Sequence, residues 1–160
     1  MSARLSLPIT GRWLTCSRSA ASPSRLTHSI CRPPPFTYWV AVHGTSLIGV
    51  VEADMDHDYG DTVTQLGFAP PHAYVFAIAV SQAHRRRGVG RLLLRQVATR
   101  ANALGRSFLV LVPAYPQSAD TGRVTFFRRC GLSPLDSGYR DLYPYGAPPS
   151  EILCRIPAPA

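Results

Sequence analysis

The sequence predicts an α/β domain with a single mixed, largely antiparallel sheet flanked by helices. Three observations carry that expectation: paired β-rich runs around a tight turn near residue 44, a continuous apolar run at 73–81 that passes into a helix-period stretch, and a second apolar run at 107–114 beyond it. A strand, a helix and another strand in that order suit parallel neighbours, while a hairpin adds antiparallel ones.

Each element has a local reason. "FTYWVAVH" and "SLIGVVEAD" are rich in β-branched and aromatic residues and are separated by His43-Gly44-Thr45, which reads as a β-hairpin. The next stretch, "MDHDYGDTVTQLGFAPPH", is acidic with Gly and Pro and reads as a loop. "AYVFAIAVS", Ala73 to Ser81, is uniformly apolar, as a strand buried on both faces would be. From Gly88 the period becomes helical: Val89, Leu92, Leu93, Val97, Ala101 and Leu104 form one stripe, Arg91, Arg95 and Arg100 face away, and Gly105 stops the helix. "SFLVLVPA" is a further buried strand closed by Pro113. A short helix over Thr121 to Arg129 ends at Gly131, and "EILCRIP" offers a last strand before the Pro-Ala tail.

Composition bounds the function. The 160 residues amount to one domain, with 46% hydrophobic residues and no apolar run of the roughly 18 residues needed to span a bilayer, so we expect a soluble protein. The formal charge of +8 comes from 17 arginines and no lysine, and residues 1–51 alone carry five of those arginines and no acid. A sequence pI near 9.9 is therefore weak evidence that the folded part binds polyanions. Cys16, Cys31, Cys130 and Cys154 are widely spaced, with no C-x-x-C pair, which argues for reduced thiols and against zinc. Cys130 and Cys154 are expected to pack as small hydrophobes.

Residues 1–35 hold seven serines, five arginines and five prolines without a sustained period. They read as a flexible arm before a domain at 36–160. Their acid-poor composition also suits an organellar transit peptide, although no clear amphipathic stripe accompanies it.

The stretch "HRRRGVGRLLLRQ", His84 to Gln96, carries the chemistry. The first N–H groups of a helix lack intrahelical acceptors, and the aligned peptide dipoles add about half a positive charge there. A Gly-rich turn at that point is a recipe for binding phosphate oxygens. Gly88 and Gly90 permit close approach, and Arg85, Arg86 and Arg87 add charge. The P-loop spacing and the dinucleotide G-x-G-x-x-G spacing are both absent.

"IAVSQAHRRRGVGRLLL" resembles the acyl-coenzyme A signature of the GNAT acetyltransferase family, with Ile78, Val80, Arg85, Gly88 and Gly90 on the patterned positions. "FFRRCGL", Phe126 to Leu132, is similar to the family's second signature, and "HGTSLIGVVEA" sits where the family has its second and third strands. The resemblance spans about residues 37–157. It implies that backbone groups of Ile78 and Val80 pair with the pantetheine arm of acetyl-CoA as an added strand would. It also implies that the amides of Arg86, Arg87, Gly88, Val89 and Gly90, with Arg91 nearby, cradle the pyrophosphate. Asp120 falls where the family often has a pantetheine-contacting Asn. Phe127 falls where it often has a tyrosine that protonates the departing thiolate, and phenylalanine cannot donate a proton. Tyr115, Ser118, Tyr139, Tyr143 and Tyr145 are substitutes by residue type.

The resemblance implies an acetyl-CoA-dependent N-acyltransferase that moves an acetyl group to an amine by direct attack. The acceptor must lose a proton first, and Glu52 is the expected general base, with His72 a weaker candidate and His84 flanking the phosphate loop. Asp54, Asp56, Asp58 and Asp61 either attract a cationic acceptor or simply solvate a loop. The family normally builds a strand and two helices before the hairpin, so the N-terminal part here is shortened or atypical. That departure and Phe127 keep a second class open, a catalytically weak or inactive acyl-CoA-binding protein. A third, nucleic-acid binding through the arm and the arginines, lacks interleaved aromatic and basic residues. We further expect a cytoplasmic protein with a small-molecule or peptide amine as partner, no nucleic-acid or membrane partner, no metal, and a homodimer as one arrangement.

Overall fold

The computed structural model describes residues 36–113, 121–136 and 144–158. The hairpin is formed by β1 (Thr37–His43) and β2 (Ser46–His57), joined at Gly44 with its φ of 60°. A one-turn helix α1 (Asp61–Thr64) leads to β3 (His72–Val80). A 3-10 turn, Gln82–His84, precedes α2 (Val89–Ala103), which Gly105 ends with a φ of 68°. Then come β4 (Leu109–Leu111), α3 (Thr121–Arg129), β5 (Ser133–Pro134), β6 (Tyr145–Ala147) and α4 (Pro149–Arg155).

The six strands make one sheet in the order β1-β2-β3-β4-β6-β5. Only β3 and β4 run parallel, and α2 is the crossover between them; the other pairs are antiparallel. The expected mixed, largely antiparallel sheet flanked by helices is what forms.

The sheet buries both faces unequally. On one side α2 packs Val89, Leu93, Leu94, Val97, Ala98 and Ala101 against Val51, Ala53, Val75 and Leu109, with Phe127 of α3 and Ile152 of α4 in the same core. Fully burying one such leucine contributes roughly 1.5–3 kcal/mol. On the other side a smaller cluster gathers Val63, Phe108, Val110 and Leu135, with Tyr59, Phe68 and Tyr74 partly buried against it.

Several sequence expectations need correction. "EILCRIP" belongs to a helix, and the last strand is Tyr145–Ala147 instead. Pro149 presets the first helical turn, Glu151 suits its positive end, and Ile152 and Ile156 both face the core at i, i+4 spacing. The presumed loop after Asp54 is strand as far as His57, followed by α1. The stripe of α2 is rotated slightly, because Leu94 and Ala98 are buried while Leu92 and Leu104 are only partly so. Cys154 is exposed, whereas Cys130 is buried as expected. Arg91 and Arg95 do not simply face solvent: Arg91 Nη2 donates to the Arg155 carbonyl at 3.0 Å and Arg95 Nη1 to that of Ile156 at 3.2 Å, closing the C-terminal end of α4.

The strand at 72–80 is covered on both faces only in its first part. Its burial falls away from Phe76 onward, where Phe76, Ala77 and Ala79 are exposed.

Candidate active site

Pairing geometry explains that loss of burial. β3 pairs with β4 only through Ala73, Tyr74 and Val75, opposite Leu109, Val110 and Leu111. Beyond that point β3 continues to Val80 beside β2 alone. The separation leaves a cleft of about 1260 Å³ between residues 75–80, Leu111–Pro113 and α3, which reaches the loop at Arg85–Gly90.

The hydrogen-bond register fixes which backbone groups face this cleft. Ser81 N donates to Ile48 O at 2.9 Å, which makes the neighbouring pair Val80 and Gly49 the kind that does not exchange hydrogen bonds. Such pairs alternate, so Ile78 opposite Val51 is of the same kind. The N–H and C=O groups of Ile78 and Val80 therefore point away from β2, toward the open edge. Arg85 Nε already donates to the Val80 carbonyl at 3.2 Å.

At the end of the cleft the backbone is shaped for an anion. Gly88 is the N-cap of α2 with φ 85°, and no side chain caps the helix. The first bond of the helix is Leu92 N to Gly88 O at 3.1 Å, so the preceding amides have no intrahelical acceptor. Arg86 is also left-handed, at φ 61°, a conformation that costs a non-glycine residue about 1–2 kcal/mol. Left-handed residues set among other conformations curl a chain so that N–H groups converge on a concavity. A Cβ on Gly90 would lie 3.3 Å from Phe126 Cζ, so glycine keeps that ring close to the loop. His84 Nδ1 lies 2.8 Å from Ser81 Oγ and also borders the cleft.

The structure thus gathers Ile78, Val80, Arg85, Arg86, Gly88, Gly90 and Arg91 along one cleft, with Val89 buried beneath and Arg87 exposed on the same loop. Asp120, Tyr115, Ser118, Tyr139, Tyr143, Cys16, Cys31 and the segment 1–35 lie outside the described residues. Tyr145 is buried in the core on β6. Phe127 is 3% exposed at the cleft wall, with Phe126 beside it at a ring separation of 5.1 Å. Neither offers a hydroxyl. Cys130, one turn further along, lines the same wall; burial pushes its thiol up to about 11, with Arg91 acting in the opposite direction.

Glu52 lies opposite Ala77, across β3 from the open edge, and accepts a hydrogen bond from Tyr38 Oη at 3.0 Å. That bond, with burial and the carboxylate charge adding to it, raises the Tyr38 phenol above its ordinary range. Tyr38 escaped sequence reasoning because of a bulge: Ile48 is an extra residue in β2, which moves the pairing from Val42–Leu47 to Ala41–Gly49. Counting back from the turn would have put Tyr38 opposite Val51.

His72 is fully buried, and both ring nitrogens are engaged: Nδ1 accepts from Tyr59 N at 3.3 Å and Nε2 donates to Phe68 O at 3.0 Å. The acidic residues are also partly engaged. Asp56 pairs with Arg106, whose Nε bonds Met55 O at 2.6 Å, while Asp54 accepts from Asp56 N at 2.9 Å. Asp58 accepts from Gly60 N at 2.8 Å.

Charge is divided along the chain. Residues 36–84 contain Glu52, Asp54, Asp56, Asp58 and Asp61 and no arginine, whereas residues 85–129 contain ten arginines and a single acid, Asp120. Among the described residues no three His, Cys, Asp or Glu side chains are placed to hold a metal, and no helix is long and apolar enough to cross a membrane.

This strand separation and loop lead to the decisive comparison, a match to the acetyltransferase (GNAT) family over residues 7–132. The chain belongs to the GNAT acetyltransferase family. The match begins within the segment that composition sets apart. A search of curated protein sequences returned no match. Among solved structures, the GNAT fold recurs in an acetyltransferase of that family from Desulfovibrio desulfuricans, at 18% identity and a TM-score of 0.56 over 71% of this chain and 69% of that one. It recurs in the PaiA N-acetyltransferase of Thermoplasma acidophilum in complex with coenzyme A, at 12% identity and 0.54 over 71% and 60%. A Bacillus subtilis acetyltransferase in complex with CoA gives 16% and 0.52 over 71% and 76%. At these identities the likeness concerns the fold.

Proposed function

We propose that this GNAT member is an N-acyltransferase that uses acetyl-CoA and an amine acceptor. The observation that carries the reading is the continuous track from the open β3 edge at Ile78 and Val80 to the amides at Gly88–Gly90. An extended amide-bearing arm fits the first, as an added strand would. A pyrophosphate fits the second. Two solved structures of the same fold carry CoA, which supports the donor class.

In this reading the protein holds the donor's reacting carbon near the β3 bulge and brings the acceptor from the acidic side. Glu52, directly or through water, takes the proton that the ammonium must lose, leaving a nitrogen lone pair free to attack. The C–N bond forms, the C–S bond breaks with its electron pair leaving on sulfur, and the second proton of the attached nitrogen passes through water to the departing thiolate, giving the amide and the CoA thiol. A thiol pKa near 8.5 makes that thiolate a tolerable leaving group at neutral pH, so protonation by water suffices in place of a tyrosine. Phe127 and Phe126 then keep the wall apolar.

The test is a thermal shift with CoA and acetyl-CoA. The parent should be stabilised, and Gly88→Asp, which sets a carboxylate at the anion site on a left-handed residue, should abolish the shift. Replacing Arg85, Arg86 and Arg87 together by alanine should weaken CoA binding less than Gly88→Asp does. No shift at millimolar CoA overturns the proposal. CoA binding without thiol release across an amine panel would instead favour the non-catalytic reading that Phe127 motivates.

A further inference from the structure

The acceptor side of the cleft carries a string of aromatic rings whose inner members, Tyr59 and Tyr74, pack against the smaller core cluster and whose outer member, Phe76, is exposed. Phe76 is the residue left over between the pairs Glu52–Ala77 and Ala53–Val75, so it forms a bulge in β3. A bulge re-aims its side chain, and the Phe76 ring is 43% exposed at the end of the cleft. It meets Phe36 edge-on at a centroid distance of 4.7 Å and Tyr74 at 4.6 Å. Tyr74 in turn lies 4.6 Å from His57 and stacks on Tyr59 at 5.7 Å and 19°. The string begins at the donor edge and runs beside Glu52, which pairs with Ala77, the next residue after Phe76.

We propose that this string is an acceptor subsite that selects an arylalkylamine, a cation carried on an aromatic body. The inference rests on the acyltransferase reading above and adds the substrate class. Exposed ring faces attract both aromatic groups and ammonium ions. The arginines of the cleft, Arg85, Arg86, Arg91, Arg123 and Arg129, belong to its loop and helical walls, whereas β2 beside Phe76 carries Glu52, Asp54 and Asp56, so the ammonium end is expected on the Glu52 side. Arg106, the guanidinium that bonds to β2, is occupied by Asp56 and Met55 O. With the ring on Phe76, an amine on a two-carbon tether stays within the neighbourhood of Glu52 and the open edge.

The experiment compares phenethylamine with propylamine, using acetyl-CoA and thiol release. Phenethylamine should have a kcat/KM at least tenfold higher, carried mainly by KM. Phe76→Leu and Phe76→Ala should bring that ratio close to one. Equal kcat/KM for both amines, or an equal loss for both in the variants, overturns the proposal. Calorimetric titration of phenethylamine, propylamine and 3-phenylpropionate into the CoA-saturated protein reads the subsite without turnover. Saturable binding of phenethylamine alone supports it; binding of none, or equal binding of the anion, overturns it. Failure of CoA itself to bind sinks the donor reading separately, and the same titration on the free protein still reads the rings.

Discussion

The two halves of β3 are buried in the opposite order to their polarity: His72–Val75, with a histidine and a tyrosine, is the covered half, and the wholly apolar Phe76–Val80 is the open one. His72–Val75 lies between β2 and β4 with Ala73 and Val75 in the core, while Phe76–Val80 keeps β2 and loses β4. Burial along a strand is thus set by where its neighbour stops pairing, and apolar residues alone do not report it. The first half anchors the sheet, and the second presents backbone to a ligand.

Three experiments press on that contrast. Val75→Asp should act most strongly, because an unpaired carboxylate would enter the covered half; a loss above about 4 kcal/mol, read as failure to give a cooperative denaturant transition, is expected. Survival of Val75→Asp with near-parental stability would erase the distinction between the halves. Cys130, on the cleft wall yet fully buried, reports on the boundary. Its thiol pKa is raised from 9.0 to about 11 on folding, so the proton it holds favours the native state below pH 9, and that contribution fades as pH rises toward 11. Two pKa units correspond to at most about 3 kcal/mol. Urea midpoints between pH 8 and 11 should therefore fall more steeply for the parent than for Cys130→Ala, and equal slopes would assign this wall to solvent. The smallest stability effect belongs to the open half: Ala79→Glu should change stability by less than about 0.5 kcal/mol, as exposed substitutions do. It should nevertheless weaken CoA binding about tenfold in calorimetry, since Ala79 borders the cleft.

Much of this arrangement was legible from residue pattern. The hairpin, the period change at Gly88, the stop at Gly105 and the short helix before Gly131 all follow local rules, whereas the track from Ile78 to Gly90 was expected from the family resemblance. Less legible was anything set by pairing. The bulge at Ile48 that brings Tyr38 to Glu52, and the bulge at Phe76, each depend on a partner strand that a single segment does not encode. The misread "EILCRIP" shows a different difficulty. Its four apolar residues before the proline fit strand or helix equally, and the deciding signal was upstream, in the Pro148-Pro149-Ser150-Glu151 start. Phe126 and Cys130 reached the cleft wall unannounced, because a nine-residue helix reveals its inward face only once it is docked.

The carbonyls of Arg155 and Ile156 are held by guanidinium groups from the first two turns of α2, the helix whose beginning forms the anion loop. A nonsense mutation after residue 148 would delete no residue of that loop. It would still strip the apolar back of α2 of Ile152 and Ile156 and free Arg91 to swing toward the cleft. Harm from such a truncation would surface as a donor-binding defect, some distance along the chain from the lesion.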